Sequence, residues 1–135
     1  MLRTFALLIF LTITHFSFSQ TDRSNDSLIV FTKTEVNPKF PGGDSAWFEF
    51  LKKNLDIDIT EKNKAPDGTY KVRVRFIVNQ DGSISNLEPQ TNFGYGMEQE
   101  VVRVLGLSPK WIPAHQNSRP VRAYQVITIT FGIVP

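Results

Sequence analysis

The chain has 135 residues, 41% hydrophobic and 21% charged, a balance that fits one globular domain with a short leader. It has no cysteine, which excludes disulfides, thiolate nucleophiles and thiolate metal ligands, so a core supplied by eleven Phe and two Trp holds the fold alone. The formal net charge of +2 falls to +1 once a leader containing Arg3 is removed, too balanced for a nucleic-acid-binding surface.

Residues 1–19 read as a secretory signal peptide. Arg3 gives a positive start, Phe5 to Ile13 is apolar apart from Thr12, and Ser17 and Ser19 suit cleavage before Gln20. The alternative is an uncleaved anchor, but the run from Thr4 to Phe18 has 15 residues where a spanning helix takes about 20. Residues 20–35 form a flexible lead in which Leu28 to Phe31 is a candidate short strand, and the folded domain is expected over 36–135.

The cluster Pro38 to Gly43 is a turn, with Asp44 as the expected N-cap of a first helix. Trp47, Phe48, Leu51 and Leu55 are expected on its buried face. Residues 56–67 are polar and read as a loop. In the first strand Tyr70, Val72, Val74, Phe76 and Val78 alternate with Lys71, Arg73, Arg75 and Ile77, so one face is buried. Gln80 to Ser83 is a hairpin signal. The second strand, about 83–89, breaks its alternation between Ile84 and Leu87, which predicts a bulge.

Met97, Val101, Val104 and Leu105 mark the buried face of a second helix. Trp111 lies between Pro109 and Pro113 and is expected to pack beneath the sheet. After a polar turn at 116–120, a last strand over 121–133 places Ile127, Ile129, Phe131 and Ile133 on one face. Tyr124, Val126, Thr128 and Thr130 share the other. The order helix, strand, strand, helix, strand predicts an α+β two-layer sandwich. Two helices cover one face of a three-stranded antiparallel sheet of order 2-1-3, and strand three is an open edge.

This ordered set resembles the TonB C-terminal domain family in its Bacteroidetes-type form. The residues that carry the resemblance are Pro38-x-Phe40-Pro41-Gly42-Gly43, the alternating run from Gly68 to Val78, Asp81-Gly82-Ser83-Ile84, Glu100-x-x-Arg103-Val104, Pro109-Lys110-Trp111-x-Pro113-Ala114, Arg119-Pro120-Val121 and Ile127 to Phe131. The resemblance implies a non-enzymatic, exported module of the periplasm and cell envelope, without cofactor. Its implied partner is an outer-membrane transporter or another envelope protein, captured as an extra strand on Tyr124, Val126, Thr128 and Thr130. The same edge allows a homodimer. Two features depart from the family. The Tyr-Pro pair often found between the first helix and first strand is replaced by Asp56 to Glu61, and no Pro-rich spacer lies between Gln20 and Val36. Those 17 residues extend to about 60 Å at most, so an alternative reading is a stand-alone envelope module that binds peptidoglycan or self-associates without energy transduction.

Chemistry-bearing residues are sparse. His115, the one histidine outside the leader, reads as a loop residue rather than a base or ligand, because no cysteine or paired carboxylate accompanies it. Asp56 and Asp58 read as a solvated acidic loop. Gly42 and Gly43 lack the Lys-Ser/Thr that would follow in a phosphate-binding loop. Lys71, Arg73 and Arg75 form a basic stripe on the outer sheet face, read first as solvated and edge-protecting and second as a seat for an acidic partner or anionic envelope polymer.

Overall fold

The computed structural model describes residues 28–134; the signal peptide expected over 1–19 and the lead before Leu28 lie outside the described residues. The element order is α1 (Gly43–Asn54), α2 (Ile59–Lys62), β1 (Gly68–Val78), β2 (Ile84–Pro89), α3 (Met97–Gly106), β3 (Ala114–Gln116), β4 (Arg119–Val121) and β5 (Ala123–Ile133). Strand order in the main sheet is β2-β1-β5, with β1 antiparallel to both neighbours, as the alternation and the single crossover predict. β1 and β5 pair over eleven consecutive residues, from Gly68 with Ile133 to Val78 with Ala123. Their inward residues Val72, Val74, Phe76, Val78, Ile127, Ile129 and Phe131 are buried and meet Met97, Val101 and Leu105 of α3.

The spacing of Ile84 and Leu87 is resolved by a bulge. Arg75 pairs with Glu88 and Ile77 with Ser85, so two residues of β2 stand opposite Phe76 alone. Asn86 takes a left-handed φ of 51°, which turns both Ile84 and Leu87 toward the core. Ile77 lies on the outward face yet is only 2% exposed, opposite Tyr124 on one side and Ser85 on the other.

Four local expectations are corrected. Phe48 is 61% exposed, with the Lys52 ammonium 5.8 Å from its ring. Phe50, one hundred degrees further along the helix from each neighbour, takes the inward place with Trp47, Leu51 and Leu55. Asp44 is not the cap of α1: Gly42 is, at φ 88°, and Asp44 sits in the first turn where its charge meets the helix dipole. The polar stretch after Leu55 contains the short α2, and Ile59 packs on the core. Finally, β3 and β4 form a small ribbon turning at Asn117 and Ser118, both with positive φ, so the last strand begins at Ala123.

One aromatic residue joins the separate segments. Trp111 is 5% exposed, and its ring lies 5.2 Å from Phe76, 5.5 Å from Phe40 and 5.7 Å from Trp47. Its backbone N–H donates to the Gly82 carbonyl at 2.9 Å. Gly82 has φ 85°, and a Cβ there would stand 2.2 Å from the Trp111 carbonyl oxygen. Gly82→Ala therefore forces the hairpin tip off Trp111. It is expected to cost about 2–4 kcal/mol of unfolding free energy, read by urea denaturation.

The helix layer is closed by buried carboxylates. Glu100 is 7% exposed and accepts from Arg103 at 2.6 and 2.9 Å and from the Asp56 amide at 2.9 Å. Arg103 also donates to the carbonyl of Asn54 at 2.7 Å, so one pair ties α3 to the end of α1 and the lead into α2. Glu98 is held likewise by Thr91 and by the amides of Phe93 and Gly94. The Arg103 hydrogen bond holds the Glu100 carboxyl below its ordinary value of 4.5. A depressed folded-state value means that its stabilisation is complete above the unfolded value and is lost as pH falls through the folded one. Glu100→Gln is expected to cost about 1–2 kcal/mol at pH 7, with the deficit shrinking below about pH 4, measured as urea midpoints across pH.

Candidate peptide-docking edge

Among the described residues β5 has a strand partner on one side only. At its start Phe31 forms a parallel bridge with Ala123. The Phe31 amide donates to the Arg122 carbonyl at 2.9 Å and the Tyr124 amide donates to the Phe31 carbonyl at 2.9 Å. The Tyr124 N–H thus points away from β1. Backbone direction alternates along a strand, and the register with β1 is unbroken, so Val126, Thr128, Thr130 and Gly132 present N–H and C=O at the same open side. The four edge residues expected from the sequence are therefore collinear, with Tyr124 bonded to Phe31 and, among the described residues, no strand partner on the outer side of the next three.

Two cavities of about 350 Å³ each flank this edge on the helix side. One lies among Phe40, Trp47, Trp111, Gln125, Ile127 and Thr128. The other lies among Leu55, Ile57, Thr60, Thr130, Phe131 and Ile133. Sequence reasoning missed both, because each is assembled from turns and helices far from β5 in the chain. A larger cavity of about 790 Å³ opens at the opposite edge of the sheet, between β2 and α3, near Leu87, Val102 and Arg103.

Among the described residues the outward face carries no helix. Lys71 and Arg73 are exposed, while Arg75 donates to Glu88 at 2.8 Å and lies 4.7 Å from the Tyr124 ring centre. The bond to Glu88 raises the Arg75 pKa further, so the guanidinium stays charged. The basic stripe is thus two free-standing cations and one that clamps Tyr124, three adjacent outward positions of β1 with β5 beside them.

The remaining sequence candidates do not form a reaction site. His115 is corrected from loop to strand: it sits in β3, pairs with Pro120, and exchanges backbone hydrogen bonds with Val36. Asp56 binds Lys62 at 2.7 Å, which lowers its pKa, and accepts from the Asp58 amide. Among the described residues no group of three or more His, Cys, Asp or Glu is placed to hold a metal. Gly42 and Gly43 turn the chain into α1, as expected. Among the described residues no helix is long and apolar enough to cross a membrane.

A two-layer module with an open strand edge, two flanking clefts and a basic face offers the features that protein-interaction domains use to take up a partner strand. Residues 67–133 match the family model for the Gram-negative bacterial TonB protein C-terminal. No curated protein and no solved structure matches the chain. The chain belongs to the TonB C-terminal domain family, a family of non-enzymatic modules that interact with envelope proteins such as outer-membrane transporters.

The backbone directions give a direct check. In amide hydrogen exchange of the free protein, Val126, Thr128 and Thr130 are expected to exchange at least tenfold faster than Ile127, Ile129 and Phe131, whose amides face β1. Equal protection of both sets would show the outer side to be paired.

Proposed function

We propose that this protein is an exported, periplasmic TonB-like binding module. It takes a short segment of an outer-membrane TonB-dependent transporter, or of a related envelope protein, as an added strand along Val126, Thr128 and Thr130, next to the Tyr124 rung that Phe31 occupies. Its role is related to energy transduction to such transporters. The observation that carries the reading is the row of backbone groups from Val126 to Gly132, unpaired among the described residues, on a domain of this family. An extended peptide satisfies those groups at once, and main-chain bonds supply affinity without requiring a particular guest sequence. The outward cations Lys71, Arg73 and Arg75 add positive potential beside the guest and speed its encounter.

A proline at an outward-facing edge amide removes a donor that β1 does not use. Thr128→Pro is therefore expected to weaken capture of transporter N-terminal peptides at least tenfold while the melting temperature moves by only a few degrees. Pull-down from envelope extract, competed with those peptides, reads the effect. Unchanged capture by the folded variant would remove strand addition along β5. Recovery of peptidoglycan-linked material alone would replace the transporter reading with that of a stand-alone envelope module.

A further inference from the structure

The two clefts beside β5 open on the same side of the sheet. The first lies at Ile127 and is floored by Phe40, Trp47 and Trp111; the second lies at Phe131, between Leu55, Ile57 and Thr60, with Asp58 and Glu61 also in its lining. Ile129, midway between, lines neither. From Ile127 to Phe131 is four residues, about 13 Å of strand, and side chains on one face of a strand recur every second residue. A guest strand therefore drops inward side chains into both clefts only when those side chains stand four positions apart.

The outward face sets a second condition. Arg73 stands opposite Thr128 and Lys71 opposite Thr130 in the β1–β5 register. Among the described residues neither cation is in a salt bridge. A strand added to β5 lies two strand spacings, about 10 Å, from β1. The threonines between are short, so the long Lys and Arg side chains reach across them to a guest carboxylate. A second copy of this chain fits poorly as the guest. Its own β5 would place Ile129 at the position that has no cleft, and would bring Lys71 and Arg73 toward their like-charged counterparts.

Resting on the strand-addition reading above, we infer that the site selects its guest by pattern. The guest is an extended segment of another protein with large apolar side chains at two inward positions four apart and a small residue midway between them. Its intervening outward positions are acidic. The aromatic cleft at Trp47 and Trp111 fixes one end of the register, and the cations of β1 fix which face turns outward.

The test uses the full 135-residue chain and labelled nine-residue peptides in fluorescence anisotropy. The patterned peptide carries Leu at its second and sixth positions, Ala at the fourth, and Glu at the third and fifth. Moving the second Leu to the fifth position is expected to weaken binding about tenfold or more, since one apolar side chain loses its cleft. Exchanging the Glu residues for Lys is expected to weaken it about twofold to fivefold, an effect reversed in direction by Arg73→Glu. Equal binding of all peptides, abolished by Thr128→Pro, would leave strand addition standing and overturn the selection rule. Failure of every peptide to bind a monomeric chain would overturn both. Dimerisation with the Val126, Thr128 and Thr130 amides protected would assign the edge to a second copy and overturn the pattern.

Discussion

The contact on which the fold and the edge both depend is Trp111 against the tip of the β1–β2 hairpin. Its amide holds the Gly82 carbonyl, and its ring fills the space between Phe40, Trp47 and Phe76. Three chain segments that share no secondary structure are thereby brought to one place: the turn before α1, the hairpin, and the stretch leading to β3. The pairing of Lys39 with Ile112 and of Val36 with His115 runs along the same seam. The prolines on either side of Trp111 restrict the backbone that carries it, so its ring is positioned with little conformational freedom left to lose. That ring is also the floor of the cleft at Ile127, so packing that stabilises the domain shapes the surface beside its open strand.

An open edge is a hazard as well as a resource. β5 carries Val126, half exposed, on its outward face, and the buried Ala123, Ile127, Ile129 and Phe131 on its inward face. Against indiscriminate pairing stand the cations of β1, which sit one strand inside the edge instead of on it. Like-charged faces repel when two copies approach, which disfavours pairing of β5 with a second β5.

Much of this was legible in the sequence where a period repeats. The alternation in β1 and β5 and the helical spacing in α3 identify residues that are buried, because each pattern spans several repeats and tolerates one reading only. Even the bulge in β2 is visible as the three-residue step from Ile84 to Leu87. Legibility fails where a short pattern admits two readings. In α1, Phe48 and Phe50 both suit an amphipathic helix, and the choice is made by the distant Phe40 and Trp111, which receive Phe50 and Trp47. The β3–β4 ribbon is missed because its turn uses Asn117 and Ser118, neither of them glycine, in left-handed backbone. The edge residues follow from topology, but the clefts beside them join residues some seventy to ninety positions apart, and no local spacing records that. Glu100 and Arg103 are visible as a recurring pair of residue types; that the pair bolts α3 to Asn54 and Asp56 is visible only once the helices are packed.

Phe31 gives the edge an end stop. Its two hydrogen bonds occupy the first rung beside Arg122 and Tyr124, and the chain then turns away toward Val36. Among the described residues the rung at Ala123 is therefore filled from within the chain, and the open row begins at Val126. Phe31 is thus a ruler laid against the strand, and the length of edge it leaves uncovered runs from Val126 to Ile133.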